Sequence, residues 1–311
     1  MTRKQSVAVG VDGSEPSNAA LDWAAAEAER RGWTLEIVCS YSLPSYTGAS
    51  LEGAFSALDD DHLRRDAQHV VDEAANRVAR DGLAITTTLD TGDPAGVLID
   101  ISREVSLVVV GTRGGGGFAD RLLGTVSSAV PAHAHCPTVV VPFKGEAERF
   151  MPVRRIVVGL DGSESARIAM RRAVDEAHAW DAELTTIAAV PIPTGIGLGW
   201  VPDAIDRREV LADVQTALEN TVTEAVDGRD VRAKMHALDG NAAALMAEFS
   251  TAVELLVVGT RGRGGFRGLL MGSTSQAVLH HAACPVMVVP ARVANPDEGF
   301  DPTDVPWRTK R

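Results

Sequence analysis

Apolar runs of about five residues recur in the first half of the chain, at 6–11, 35–40, 84–89, 106–110 and 138–142. Continuous runs of this kind suit strands covered on both faces, as in a parallel sheet. Between them the spacing of apolar positions changes to that of helices. Leu21, Ala24, Ala25 and Ala28 line one face of a helix that Gly32 can close. Leu63, Ala67, Val70, Val71, Ala74 and Val78 line a second, and a third begins at Pro94 and presents Val97, Leu98 and Ile101.

The pattern then returns. Val7-Ala8-Val9-Gly10-Val11-Asp12-Gly13-Ser14-Glu15 reappears as Ile156-Val157-Val158-Gly159-Leu160-Asp161-Gly162-Ser163-Glu164, an offset of 149. Leu107 to Gly114 reappears as Leu255 to Gly262, and Cys136-Pro137 as Cys284-Pro285, both at an offset of 148. The helix faces repeat too, as Met170, Ala173, Val174 and Ala177, and as Val210, Val214, Ala217, Leu218 and Val222. So long a period means two domains of one fold rather than a solenoid. Five strands alternating with four helices predict, for each copy, a doubly wound α/β domain, Rossmann-like, with a five-stranded parallel sheet. The domains are placed at 1–143 and 155–293, with a charged linker at 144–154 and a mobile tail at 294–311. Segments 41–61 and 190–208, rich in Gly, Pro and small polar residues, read as loops or flaps.

Ligands in such sheets bind beyond the carboxyl ends of the strands, where the strand order reverses. The loops after Gly10, Gly111, Gly159 and Gly259 are therefore the places to look. Gly111-Thr112-Arg113-Gly114 is followed by nine residues and Gly124-Thr125; Gly259-Thr260-Arg261-Gly262 is followed by nine and Gly272-Ser273. Glycines let backbone approach a ligand closely, and successive amides form an anion-binding concavity. Helices expected over 126–133 and 274–281 would add N-terminal donors suited to phosphate. Ser273-x-x-Gln276 reads as a capping box. The plainer alternative is a tight strand-to-helix turn with a capping hydroxyl, and two copies at identical spacing favour a shared ligand function. Neither loop has the P-loop pattern or Gly-x-Gly-x-x-Gly after the first strand.

Charge narrows the ligand. Lys plus Arg is 30 against 42 for Asp plus Glu, a net charge of −12, which argues against a dedicated nucleic-acid binder. Arg113, Arg121, Arg261, Arg263 and Arg267 nevertheless concentrate positive charge in the glycine-rich loops. Three cysteines are too few for a disulfide framework. No signal-peptide core precedes Val7 and no apolar run reaches the length of a spanning helix, so a cytoplasmic protein without membrane association is expected.

Gly-x2-Gly-x9-Gly-Ser/Thr after a Val-Val-Gly strand, with Asp-Gly-Ser after the first strand, resembles the universal stress protein family, here as a tandem two-domain member. The resemblance covers nearly the whole chain and matches the family's ATP-binding pattern in both halves, with Thr125 in place of the commoner Ser. It implies ATP as the ligand. Gly111, Thr112, Arg113, Gly114, Gly115, Gly116 and Gly117 would wrap ribose and phosphates, as would Gly259, Thr260, Arg261, Gly262, Arg263, Gly264 and Gly265. Gly124, Thr125 and Val126, and Gly272, Ser273 and Thr274, would hold the terminal phosphates. Gly10 and Gly159 would let the first strand end close to the nucleotide. Asp12 and Asp161 would face the nucleoside or a phosphate-bound Mg²⁺, since a carboxylate does not attract bare phosphate; an Asx turn with the following Gly-Ser is the alternative. Backbone near Cys39–Ser40 and Ala188–Ala189 would border the base. The family's domains associate through the fifth strand, which implies an intrachain pseudo-dimer and a homodimer of chains.

Other candidates read as structural. His133, His135, His280 and His281 differ in spacing between copies and suit helix C-termini rather than a metal site. Cys136 and Cys284 read as small buried residues. No Gly-x-Ser-x-Gly elbow is present, and neither nine-residue spacer carries a Glu or Gln to position water. The function expected is ATP binding in a stress response, with occupancy altering conformation or the choice of an unknown regulatory protein partner. A slow ATP hydrolase or phosphotransferase using the same pockets is the alternative.

Overall fold

The computed structural model describes residues 4–42, 55–114, 123–143, 150–192, 206–262 and 271–291, with the side chains of 55–60 excepted. The first half runs β1 (Lys4–Gly10), α1 (Glu15–Arg31), β2 (Thr34–Tyr41), α2 (Phe55–Val78), β3 (Ile85–Thr91), α3 (Pro94–Ile101), β4 (Val105–Gly111), α4 (Thr125–His133) and β5 (Thr138–Val141). The second repeats it as β6 (Arg155–Gly159), α5 (Glu164–Trp180), β7 (Glu183–Val190), α6 (Arg207–Val226), β8 (Ala233–Asp239), α7 (Ala242–Phe249), β9 (Leu255–Gly259), α8 (Ser273–His281) and β10 (Val286–Val289). This is the α/β architecture expected of two tandem Rossmann-like units.

Local chemistry accounts for the helix ends. Ser14 caps α1 by accepting from Ser17 N at 3.3 Å, Pro16 sits in its first turn, and Gly32 closes it in the left-handed conformation. Ser163 caps α5 by accepting from Ala166 N at 3.2 Å, but its closing residue is Asp181, also left-handed at φ 53°. Leu21, Ala24, Ala25 and Ala28 are buried, as are Met170, Ala173, Val174 and Ala177.

The strands form one ten-stranded sheet in the order β3-β2-β1-β4-β5-β10-β9-β6-β7-β8. Within each half all pairs are parallel, and the halves join where β5 meets β10 antiparallel, with Met287 opposite Val139. Alternation along β1 sends Val7 and Val9 to the face covered by α1, α2, α5 and α6, and Ala8 to the face covered by α3, α4, α7 and α8. The fifth strands are edges of their own halves only. Joined to each other, they leave β3 and β8 as the outer strands, so a second chain cannot use the edge that the first chain has already consumed.

Three details differ from expectation. The segment assigned to a loop over 41–61 already contains the start of α2 at Phe55, because the helical pattern runs back past Leu63. Phe150 and Val153, in the expected linker, are buried in the core. Ala217 on α6 is exposed; Leu218 and Val222 are the buried residues of that helix. The tail lies outside the described residues.

Candidate functional site

Strand order reverses between β1 and β4, and between β6 and β9. A cavity opens at each of these points, about 480 Å³ in the first half and about 410 Å³ in the second. Gly10, Asp12, Gly111, Arg113, Gly114, Gly124, Thr125 and Val126 line the first; Gly159, Asp161, Gly259, Arg261, Gly262, Gly272, Ser273 and Thr274 line the second. Residues 98 to 116 positions apart in sequence thus converge on one cleft per half. Gly115, Gly116, Gly117, Arg121, Arg263, Gly264, Gly265 and Arg267 lie outside the described residues.

Thr112 and Thr260 are off the wall and do a different job. The Thr112 carbonyl accepts from Gly124 N at 2.8 Å and from Ser127 Oγ at 2.8 Å, and the Thr260 carbonyl accepts from Gly272 N at 2.7 Å. These bonds pin the end of each glycine-rich loop to its beginning. They also correct the capping assignment. Both helices begin one residue earlier than the spacing suggests, with Gly124 and Gly272 as caps and no side-chain capping bond from either. Ser273 is therefore the first helical residue rather than the cap, and the Ser273–Gln276 capping box does not form. Ser275 Oγ donates instead to Gly259 O at 2.6 Å, and Ser127 Oγ accepts from Gly124 N at 2.9 Å. The first-turn hydroxyls of Thr125 and Ser273 are left on the cavity wall, beside helix N-termini that favour anions.

Asp12 and Asp161 line the cavities and form the turn weighed as the alternative. Asp12 Oδ1 accepts from Ser14 N at 3.1 Å and Ser14 Oγ at 2.5 Å, and Asp161 Oδ1 accepts from Ser163 N at 3.0 Å. That is the Asx-type turn. The other oxygen sits against the loop: a Cβ on Gly114 would lie 2.3 Å from Asp12 Oδ2, and one on Gly262 2.4 Å from Asp161 Oδ2. Glycine at these positions is what lets carboxylate and loop share one wall. Burial, and secondarily the charge of Asp12, push the Cys39 thiol up, which keeps it protonated and unreactive beside the site.

Ser40 lines the first cavity and Ala189 the second, at the backbone expected to border the base. Pro94 and Leu98 in the first wall, and Ala242 and Met246 in the second, escape sequence reasoning. Leu98 reads as an ordinary helix-face residue and Met246 carries no sequence signal; only the packing of α3 and α7 over the sheet places them on the cleft. A further apolar recess of about 510 Å³ lies beside the second cavity, between α5, α6 and β7, and shares Asp161 and Ala189 with it. His133, His280 and His281 fall at the ends of α4 and α8.

The universal stress protein family profile matches residues 4–142 and again 152–290, one match per half. The chain belongs to the universal stress protein family. A universal stress protein of Mycobacterium tuberculosis (strain H37Rv) is 30% identical over 294 residues, covering 91% of this chain and 95% of the relative. One from Mycobacterium bovis is 32% identical over 309 residues, covering 91% and 94%. Among solved structures, a universal stress protein from Archaeoglobus fulgidus superposes with a TM-score of 0.66 at 22% identity, covering 93% of this chain and 97% of that one. A putative universal stress protein from Pseudomonas aeruginosa superposes at 0.62 with 18% identity, covering 92% and 93%. Both share the two-unit universal stress protein fold. Among the described residues no helix is long and apolar enough to cross a membrane.

Proposed function

We propose that each half binds one ATP in its switch-point cavity and that occupancy of the two sites governs the conformation or the regulatory partner of this universal stress protein. The observation that carries the reading is the duplicated wall: a glycine loop, an arginine, a helix N-terminus with a hydroxyl in its first turn, and one carboxylate, all facing a cavity of nucleotide size. Phosphates would lie against the amides of Gly124 to Val126 and Gly272 to Thr274, with Arg113 or Arg261 nearby. The base would lie toward Ser40 and Leu98 in the first half and toward Ala189 and Met246 in the second.

Mg²⁺ fits the donor set in a limited way. It binds phosphate oxygens with one or two carboxylates and several waters, and Asp12 or Asp161 offers one such carboxylate in each wall. When bound, the ion would neutralise phosphate charge next to that carboxylate. The polypeptide does the rest: it orients the phosphates by amides and excludes water from the base. The test is to denature protein purified from cells and identify the released small molecule by mass spectrometry. ATP at about two per chain supports the reading. Protein that carries no nucleotide and binds none in calorimetry overturns it. The paired Gly114→Glu and Gly262→Glu variant, which places a negative charge in each phosphate subsite, should bind none.

A further inference from the structure

Away from both cavities, α1 and α5 meet across the pseudo-twofold axis between the halves. At the three matched positions α1 carries Trp23, Glu27 and Arg31, and α5 carries Arg172, Glu176 and Trp180. The glutamates occupy the middle position of each set, and both are completely buried. One guanidinium, that of Arg31, contacts both carboxyl groups and so sets them side by side.

The cations are shared unequally. Arg31 pairs with Glu27 on its own helix and, through Nη2 at 2.6 Å, with Glu176 across the joint. Arg172 pairs with Glu176 alone, also at 2.6 Å. Among the described residues Glu27 contacts Arg31 and the Trp180 indole, whose Nε1 donates to Oε2 at 2.7 Å, while Arg172 acts on it through charge without an ion pair. Arg30 is engaged elsewhere: its Nε donates to Ala179 O and its guanidinium lies over the Trp180 ring. Beneath the helices the described residues of β5 and β10 are Thr, Val and Met, so these two strands bring no ionisable group to the pair.

We propose that this pair is a proton-operated joint: one proton bridges Glu27 and Glu176 and ties α1 to α5, and its release loosens the contact between the two halves. Two carboxylates this close and this dry do not both ionise readily, and they titrate as a pair rather than singly. The proton resides on Glu27, because Glu176 holds two arginines. Burial and the neighbouring Glu176 push the Glu27 carboxyl up to about 7, whereas Arg172 and Arg31 hold Glu176 below the usual carboxylate range despite its burial. Loss of the Glu27 proton leaves two buried negative charges face to face, with Arg31 divided between them. Since α1 and α5 each start at the Asp-Gly-Ser turn of a cavity, loosening at this joint reaches both sites through rigid helices.

The sign follows from linkage. A carboxyl that holds its proton more tightly when folded adds stability that is present below its unfolded value near 4.5, shrinks as pH rises, and is gone above about 7. The experiment uses the full chain with ¹³C-labelled glutamate carboxyls. One glutamate signal with a midpoint between about pH 6 and 8 supports the proposal, and completion of every glutamate titration below about pH 5.5 overturns it. In Glu27→Gln that signal should vanish; its persistence overturns the assignment to this joint. The Tm of wild type relative to Glu27→Gln should fall by several degrees between about pH 5 and 7.5 and then level off. A difference that stays constant with pH, as a packing defect alone would produce, refutes the joint. If the variant does not fold, the wild-type titration still decides.

Discussion

Replacing Gly114 by Ala puts one methyl group into the wall that loop and carboxylate share. Its Cβ would stand 2.3 Å from Asp12 Oδ2, an overlap of about 1 Å against an ordinary carbon contact of ~3.5 Å. Asp12 cannot simply swing away, because Oδ1 is held by Ser14 N at 3.1 Å and Ser14 Oγ at 2.5 Å. Either those bonds break or the loop moves into the cavity. Hydrogen bonds to an ionised carboxylate are worth about 1.5–3 kcal/mol each when shielded. The turn is largely exposed, so a total of about 1.5–3 kcal/mol for the pair is the reasonable scale. Nucleotide binding needs both carboxylate and loop in place, so this energy is subtracted from affinity and weakens it about tenfold to a hundredfold. Gly262→Ala, whose Cβ would meet Asp161 Oδ2 at 2.4 Å, should do the same to the other half. Calorimetric titration of nucleotide-free protein with ATP and Mg²⁺ should show one weakened and one unchanged site for each single variant, and two weakened sites for the double. Two unchanged sites in a folded double variant would falsify the assignment of these cavities.

Gly111→Ala tests the spacing between β4 and α1: its Cβ would lie 2.5 Å from the Pro16 carbonyl oxygen, a backbone atom that cannot rotate aside. A cost of about 1–3 kcal/mol follows, lowering Tm by about 2–12 °C. Gly259→Ala meets the rotatable Ser165 Oγ at 2.4 Å first and backbone only at 3.0 Å, so it should cost less; a reversed order of Tm values refutes the comparison. ATP turnover should fall far below about one per second, because neither described loop portion supplies a lysine or a water-positioning carboxamide; phosphate release at that rate, abolished by Gly114→Glu with Gly262→Glu, would establish the hydrolase instead. Two chains should form a homodimer through a surface other than β5 and β10, and light scattering that finds only single chains at micromolar concentration would refute this.

Strand positions, helix faces, the duplication and the glycine spacing were all legible along the chain, because each is local: it depends on residues a few positions apart. Ser14, Pro16 and Gly32 announce the ends of α1 without reference to anything distant, and the buried stripe of Leu21, Ala24, Ala25 and Ala28 follows from helical geometry. The resemblance built on Gly-x2-Gly-x9-Gly likewise needed only order and spacing. What tertiary structure alone decided is long-range. The resemblance implied that the fifth strands associate, but their antiparallel register, which brings together residues some 148 apart and turns two edges into the middle of a sheet, came from the structure. Leu98 and Met246 become cavity walls only because α3 and α7 lie across the carboxyl ends of strands far from them in sequence. Ser273 looks like a cap, yet the chain makes Gly272 the cap because the Thr260 carbonyl is in place to accept its N–H. Nothing in the local pattern singles out Glu27 and Glu176. Only the docking of the halves removes both from water, and with the water goes the screening that would have made their charges unimportant.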